Sequence, residues 1–533
     1  MEGSLKIVGE YGNYQNHIKF ILLSCAFLTD IYSLQIGLML KLPKLNIIEK
    51  TNKINYSNDI NNSSLYIFLF TNITSIDKTF CNKNKYSIEV DNSSILRNWN
   101  YDYKFFCDNE WNAFAIIISV IIGTLFGLIF FSPLPDRIGR EIILKYSLIF
   151  SCFLHLNLFF CINNFHLILI NFFGGLNNFV YVLSFICITE YLPNESNGIN
   201  IGIFNTMNPI YGLSLYLFLV VSKNWRIFFF CTSITNIFCA GYTWKYFLES
   251  PRWLYSIGQK IKCISILDKI SLYNGTLTKW NEYQKENIEN ANRFGRASAN
   301  FTKLFNFEIE PSELYNDSKG ITIFDIFNFK SQIKIIIILT ILCFMSSFSL
   351  NGIIFIIFQK SKDFIYIYIL LLLSRIIIGM ITGYLCDIIG RKPIIMFGGL
   401  IGTIGYYIFT ENNSDIFLMI SLFCFESINV VLYIYIPENI PTPIRSSLSG
   451  WLFIIYRICP IFIEIFYKLS NINIFNYSIF LSGFCTGLCA LIMKETLGVN
   501  IPDIIPELKD KIESLENCNL KSFHSTEYPS FLI

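Results

Sequence analysis

The chain has 533 residues and a net charge of +2; 53% of its residues are hydrophobic, 17% aromatic and only 15% charged. Soluble domains carry about 25% charged residues, so a soluble fold has too little interior for this much apolar side chain. The composition excludes an ordinary soluble protein and makes the lipid bilayer the first predicted partner. A net charge near zero gives no electrostatic reason to expect nucleic acid as a partner.

Twelve apolar runs follow one another along the chain, each near the length of about 20 residues that a transmembrane helix needs. We number them spans 1 to 12, and they cover residues 18–40, 112–132, 142–162, 165–188, 199–222, 225–247, 333–358, 364–386, 393–410, 415–437, 446–468 and 474–493. One such run is compatible with a buried helix of a soluble core, but twelve exclude that interpretation. The predicted fold is an all-α membrane protein with twelve transmembrane helices in two six-helix halves.

Polar segments flank and separate these spans. The N-terminus lacks the basic-then-apolar pattern of a cleaved signal peptide, so span 1 is predicted to remain as an anchor. Short loops rich in arginine follow spans 2 and 8, and short basic loops stay on the cytoplasmic side of a membrane. The resulting assignment is cytoplasmic for 1–17, 248–332 and 494–533, extracellular for 41–111, and transmembrane for 18–40, 112–247 (spans 2 to 6) and 333–493 (spans 7 to 12).

The predicted outer segment 41–111 carries two kinds of extracellular signal. It contains the pair Cys81 and Cys107, and an extracellular cysteine pair can oxidise and persist. It also contains five N-x-S/T acceptor sites for glycosylation, at Asn55, Asn61, Asn62, Asn72 and Asn92. We therefore predict a glycosylated loop closed by a Cys81–Cys107 disulfide, and a location in the plasma membrane reached by the secretory route.

The two halves share a repeated loop. Residues 135–140 (PDRIGR) follow span 2, and residues 386–392 (CDIIGRK) follow span 8, the second span of the second half. Glu190 ends span 4, and Glu438 ends the equivalent span 10. This layout resembles the major facilitator superfamily, in which two six-span halves are related by an axis along the membrane normal.

The repeated loop has the residues of a conformational latch. A glycine permits the tight turn, an aspartate can cap a neighbouring helix, and arginines can pair with acids at the ends of other spans. The alternative is a plain basic loop that only sets the topology. The predicted latch residues are Asp136, Arg137, Gly139, Arg140, Glu190, Glu249, Arg252, Asp387, Gly390, Arg391, Glu438 and Arg445.

Four further motifs resemble the organic cation and anion transporters, solute carrier family 22. They are Glu249–Leu254 (ESPRWL), Glu495–Asp503 (ETLGVNIPD), Phe106–Trp111 (FCDNEW) and residues 437–445 (PENIPTPIR). Sugar-transporter relatives share parts of these motifs but not the long segment after span 1. The resemblance covers nearly the whole chain and implies transport of small organic ions without a cofactor.

The chain departs from that family at two latch positions. Glu141 stands where the family usually has a basic residue, and Asn197 stands seven residues after Glu190, where the family usually has arginine. The second half keeps the glutamate and arginine at this spacing, as Glu438 and Arg445. We therefore expect the latch of the first half to be the weaker one.

Four charged residues lie near the middle of predicted spans: Asp30, Arg375, Glu426 and Arg457. A charge at this depth costs about 2.5–3.5 kcal/mol on insertion scales, so such residues usually face a cavity or a partner. They are either substrate-binding groups or two buried ion pairs, since their charges sum to zero. Glu426 is the predicted resting partner of Arg457.

The resemblance favours a substrate role for Arg457. It lies twelve residues after Arg445, where cation carriers of the family typically have aspartate and anion carriers typically have arginine. Arg375 also replaces an acid that relatives often have, which favours an anionic or zwitterionic substrate. Tyr211 is a candidate for stacking on a flat solute, although such aromatic residues are more often plain packing.

The predicted function is alternating-access transport of a small organic ion. The alternatives are an organic cation carrier, a carrier of sugars or other neutral solutes, and a non-transporting receptor with the same fold. A membrane enzyme is disfavoured because the sequence has no metal-spaced His/Cys cluster and no nucleophile elbow; neither a cofactor nor a metal ion is predicted.

Overall fold

The computed structural model describes residues 2–9, 11–29, 38–40, 45–49, 55–57, 86–90, 97–103, 105, 110–286, 330–360 and 364–503. Within these residues, eleven helices are long and apolar enough to cross a membrane, and they correspond to spans 2 to 12. Span 1 is represented by the helix Asn13–Thr29, which starts five residues before the predicted boundary. Residue Asp30, the cysteine pair and the glycosylation sites other than Asn55 lie outside the described residues.

The first half contains several interrupted spans. Span 2 comprises an α-helix, the π-helical turn Gly127–Phe131 and a short final helix, and span 4 is divided between Leu176 and Phe179. The helices of this half are Glu2–Gly9, Asn13–Thr29, Trp99–Tyr103, Glu110–Phe126, Leu134–Ile138, Arg140–Phe159, Asn164–Leu176, Phe179–Tyr191, the 3-10 turn Asn194–Ser196, Asn197–Ser222 and Trp225–Tyr246.

The second half follows a short helical region outside the spans. This region comprises Pro251–Ser256, Lys260–Asn274 and a helical stretch over 277–286. The helices of the second half are Lys330–Lys360, Phe364–Ile389, Arg391–Asn412, Asp415–Asn439, the 3-10 turn Thr442–Ile444, Arg445–Leu469 and Ile472–Ile492.

A small antiparallel sheet lies within segment 41–111. Its strands are β1 (Leu45–Glu49), β2 (Asn55–Ser57) and β3 (Tyr86–Val90), in the order β2-β1-β3. Ile47 of β1 pairs with Tyr56 of β2 on one side and with Ile88 of β3 on the other.

Spans 4 and 10 form the centre of the bundle. The apolar windows of these two helices are 83% and 61% buried, whereas those of the other candidate spans are between 33% and 50% buried. Because protein surrounds spans 4 and 10 and lipid covers much of the others, polar groups on spans 4 and 10 face protein partners or an internal cavity.

Spans 5 and 8 join the two halves through four glycines, Gly198, Gly202, Gly379 and Gly383, which we call the glycine seam. A Cβ atom added at Gly202 would lie 2.6 Å from the Gly379 carbonyl oxygen, and one added at Gly383 would lie 2.6 Å from the Gly198 carbonyl oxygen. Small residues at this four-residue spacing allow two helix backbones to touch. The seam therefore places a span of each half in direct backbone contact.

Candidate functional site

The two halves interlock at one end of the bundle, which carries the loops after spans 2 and 8 and which we call the latch end. Asp136, after span 2, accepts hydrogen bonds from the backbone N–H groups of Ser446 (3.2 Å) and Ser447 (2.8 Å) and from the Ser447 hydroxyl (2.7 Å). These N–H groups lie in the first turn of span 11, where no intrahelical acceptor exists. Asp136 therefore caps a helix of the opposite half.

Asp387 makes the equivalent contact in the other direction. Its carboxylate accepts hydrogen bonds from the backbone N–H groups of Gly198 (2.8 Å) and Ile199 (2.9 Å) in the first turn of span 5. The bare Cα of Gly198 makes this approach possible, because an added Cβ would lie 2.4 Å from the Asp387 carboxylate. Each half thus caps one helix of the other.

Arg140 and Arg391 bind the glutamates that end spans 4 and 10. Arg140 Nη2 lies 3.2 Å from Glu190 and also donates to the Thr442 carbonyl at 2.9 Å. Arg391 Nη2 lies 2.9 Å from Glu438. All these charged side chains are buried, and charge-assisted hydrogen bonds offset the cost of their burial only while both partners are present.

The remaining pairs at the latch end cross between the halves. Arg445 Nη1 lies 3.1 Å from Glu190, and Asn197 Nδ2 donates to Glu438 at 3.5 Å. The two residues at the family's spacing in the second half, Glu438 and Arg445, thus bind partners in the first half. The first residue of span 11 packs against span 4 of the opposite half, a contact that spacing along the chain does not reveal.

Two further carboxylates cap spans 3 and 9 within their own halves. Glu249 accepts from the first two N–H groups of span 3 (2.8 and 3.2 Å), and Glu495 accepts from those of span 9 (3.0 and 2.9 Å). The preceding glycines have positive φ, +117° at Gly139 and +102° at Gly390, and their missing Cβ leaves room for the carboxylates. Burial raises the pKa of Glu249. Burial also opposes ionisation of Glu495, but its backbone donors lower the pKa below the usual value.

Other predicted latch residues lie at the margin of this network. Arg252 is buried and forms an ion pair of 3.4 Å with Asp503, which follows span 12 and so belongs to the other half. Arg137 is exposed, and it forms no ion pair with any residue that the structure describes. Glu141 pairs with Lys145 one turn later at 2.5 Å. The structure thus brings all the predicted latch residues except Arg137 into the network.

A charged cluster lies farther from the latch end, between spans 8, 10 and 11. Arg375 Nε lies 2.5 Å from Glu426 Oε1, with side-chain exposures of 28% and 7%. Tyr456 lies within electrostatic range of Glu426, Arg375 and Arg457. Arg375 of the neighbouring span 8 therefore binds the carboxylate for which Arg457 was the predicted partner.

Four aromatic side chains, Tyr181, Phe185, Tyr433 and Phe453, fill the space between the halves, and we call them the aromatic plug. The Tyr433 ring lies 5.3 Å from Phe185 and 4.9 Å from Phe453, and Phe185 lies 5.1 Å from Phe453. Tyr181 also contacts Tyr433, at 5.8 Å. The plug therefore joins span 4 of the first half to spans 10 and 11 of the second.

The plug separates the charged cluster from the latch. On span 10, Tyr433 lies between Glu426 and Glu438, about 10 Å along the helix from the former at 1.5 Å per residue. Sequence reasoning missed the plug, since large aromatic residues are spread over most spans. The usable signal was the position of Tyr433 between Glu426 and Glu438 on span 10 and of Phe453 between Arg445 and Arg457 on span 11.

The remaining substrate candidates are not part of this cluster. Tyr211 is fully buried in the first half, where its ring contacts Phe27 (5.1 Å) and Phe228 (5.3 Å). These contacts match the plain packing that was the alternative interpretation. Asp30 lies outside the described residues.

Comparison with known proteins gives one family match. The family model described as Major Facilitator Superfamily matches residues 110–464. The chain is 28% identical to organic cation/carnitine transporter 2 of Rattus norvegicus over 39% of this chain and 37% of that protein, so the match spans under two fifths of this relative. It is 24% identical to solute carrier family 22 member 16 of Xenopus laevis over 78% of this chain and 71% of that protein.

Two solved structures share the fold. The proton:xylose symporter XylE, bound to 6-bromo-6-deoxy-D-glucose, aligns with a TM-score of 0.57 at 16% identity, covering 92% of this chain and 98% of that chain. The human organic anion transporter MFSD10 aligns with a TM-score of 0.51 at 10% identity, covering 90% of this chain and 98% of that chain. At these identities the likeness concerns the fold alone.

Proposed function

The chain belongs to the major facilitator superfamily, and we propose that it carries small organic ions across a membrane by alternating access. The observation that carries this proposal is the pair of reciprocal helix caps, Asp136 on span 11 and Asp387 on span 5. These contacts close one end of the bundle and must break if the halves separate there. A charged cluster lies on the other side of the aromatic plug, where a solute that enters from the opposite end would bind.

The latch supports a transport cycle with two states. The closed-latch state described above would accept substrate from the opposite end. Rocking of the halves would then break the caps, part the plug and expose the charged cluster at the latch end. Substrate shifts this equilibrium only to the extent that it binds one state more tightly than the other. No step of this cycle requires enzyme chemistry.

The charges of the cluster support an anionic or zwitterionic substrate. Arg375 and Glu426 form an ion pair at 2.5 Å, and Arg457 adds a second guanidinium group to this cluster. The curated relatives named above include organic cation/carnitine transporters, whose names fit a zwitterion as well as a cation. We propose that Arg457 and Arg375 bind the anionic group of the substrate and that Glu426 regulates access to Arg375.

We test this function by uptake into proteoliposomes that contain the purified full-length chain. The labelled probes are benzoate (an anion), carnitine (a zwitterion), tetraethylammonium (a cation) and xylose (a neutral sugar). We expect saturable uptake of benzoate or carnitine, well above that of protein-free vesicles. Uptake of tetraethylammonium alone would support the cation carrier, and uptake of xylose alone the sugar carrier. Binding of a probe without uptake would support the receptor.

We also propose that the latch end faces the cytoplasm and that segment 41–111 is extracellular, in the plasma membrane. The short basic loops at the latch end and the acceptor sites of that segment support this orientation. Glycosidase treatment of surface protein is expected to increase its mobility on a gel. The matched control carries Gln at Asn55, Asn61, Asn62, Asn72 and Asn92 and should not shift. A wild type that does not shift while a site engineered into 494–533 is glycosylated would reverse the orientation.

A further inference from the structure

Asn197 and Arg445 occupy equivalent positions in the two halves. Each is the first residue of a spanning helix, span 5 or span 11, and each follows a single 3-10 turn. Both are fully buried, and each contacts the glutamate that ends a central span of the opposite half. The Asn197–Glu438 and Arg445–Glu190 contacts are therefore equivalent contacts between the halves, one on each side of the bundle.

The two copies differ in charge. Glu190 is held by two buried guanidinium groups, those of Arg140 and Arg445, at 3.2 and 3.1 Å. Among the residues that the structure describes, the Asn197 amide is the one group of the opposite half that binds the Glu438 side chain, at the long distance of 3.5 Å. The Asn197 Oδ1 atom is buried and has no hydrogen-bond partner among the described residues. The contact at Glu438 thus lacks both the charge and the geometry of the contact at Glu190.

Glu438 also has a cationic partner within its own half, Arg391. Arg391 lies 2.9 Å from Glu438, and the Thr496 hydroxyl donates to the same carboxylate at 2.5 Å. Both partners belong to the second half, so they stabilise Glu438 whether the halves are together or apart. The only described side-chain contact of Glu438 that depends on closure is the one from Asn197.

We infer that Asn197 is a positioning residue that lowers the stability of the closed-latch state, because an ion pair between the halves is absent at this position. The weaker of the two contacts between the halves therefore lies between spans 5 and 10. A cation at position 197 would meet the buried Glu438 carboxylate only when the latch is closed, and a charge-assisted hydrogen bond is about twice as strong as a neutral one. The halves are therefore expected to separate first at Glu438 and last at Glu190. The populations of the two states follow from contacts within the chain alone; only the consequence for transport rate rests on the proposed function.

The experiment measures the two populations without substrate. Spin labels are attached through clickable unnatural residues at Lys245 and Lys494, which are exposed near the latch end in opposite halves, since 16 cysteines preclude thiol labels. Pulsed dipolar spectroscopy on the full-length protein in nanodiscs gives the ratio of short (closed) to long (open) distances. Asn197→Arg is expected to raise this ratio about tenfold or more, Asn197→Lys to raise it less, and Asn197→Asp to lower it.

A swap of the two residues provides the matched control. Arg445→Asn alone should lower the closed population, and adding Asn197→Arg to it should restore the ratio towards the wild-type value. A purely steric role for position 197 would instead make Arg and Lys shift the ratio alike and leave the isosteric Asp at the wild-type ratio, and that result would overturn the inference. An unchanged ratio in all three variants would overturn it as well. If Asn197→Arg does not fold, the inference is tested by the other two variants: the ratio of closed to open distances should be higher in Asn197→Lys than in Asn197→Asp.

Discussion

Glu190→Gln is expected to reduce uptake at least about tenfold, whereas the equivalent Glu438→Gln is expected to have the smaller effect. Glu190 is fully buried and neutralises Arg140 and Arg445 at once. A neutral side chain leaves Arg445 without its carboxylate partner and Arg140 with Asp136 (3.0 Å) alone, and removal of one partner from a buried pair costs about 3–5 kcal/mol. The Glu438 carboxylate forms an ion pair with Arg391 and is slightly exposed to solvent. The Glu438→Gln variant therefore leaves less uncompensated charge buried than the Glu190→Gln variant does.

The measurement is initial uptake per molecule in proteoliposomes, with the amount and monodispersity of each variant determined by gel filtration. If the Glu190→Gln protein is too unstable to purify, its melting temperature in membranes replaces uptake, and the same order of the two variants is expected. Equal losses for the two glutamates, or a larger loss at Glu438, would contradict the assignment of Glu190 as the anion shared by both halves.

Arg457→Asp is expected to abolish uptake of anions and to admit cations. The substitution changes the sum of the charges on Arg375, Glu426 and position 457 from +1 to −1, in a region where screening by water is weak. Arg457→Lys keeps the charge but loses the bidentate fork, so it should retain transport with a raised KM and a similar kcat. The readout is uptake of benzoate, carnitine and tetraethylammonium by each variant.

The control reverses the neighbouring ion pair without altering the total charge. The double variant Arg375→Glu, Glu426→Arg keeps a cation and an anion between spans 8 and 10 and keeps Arg457, so the preference for anions should survive. Continued uptake of anions by Arg457→Asp would remove Arg457 from the substrate site. Loss of all transport in the double variant, with folding intact, would instead show that transport depends on the position of each charge as well as on the total charge of the three residues.

The fold was predictable because its signals are local. Apolar runs of about 20 residues predict individual spans, and the repeated loop predicts the two halves; the match to the superfamily model and the alignment with XylE confirm that fold. The sharp turns at Gly139 and Gly390 were also predictable, since each depends on a single residue and its neighbours.

The pairing of charges was not predictable, because it depends on contacts between distant parts of the chain. The spacing of Glu438 and Arg445 along the chain does not show that packing of span 11 on span 4 places Arg445 beside Glu190. Periodicity likewise did not reveal that Arg375 of span 8 binds Glu426 of span 10. The roles of these residues in transport stay predictions until the variants above are measured.

The glycine seam has a mechanical consequence for how the bundle widens. Where two backbones touch at Gly202 and Gly383, separating them would expose helix surface with no side chains to fill the gap, so parting spans 5 and 8 at the latch end costs close packing as well as the Asp387 cap. Spans 2 and 11 meet across the other side of the central spans, near Ser132 and Gly450. Opening of the latch end therefore breaks backbone packing at the seam in addition to the hydrogen bonds and ion pairs, and the free energy of the closed-latch state includes this packing.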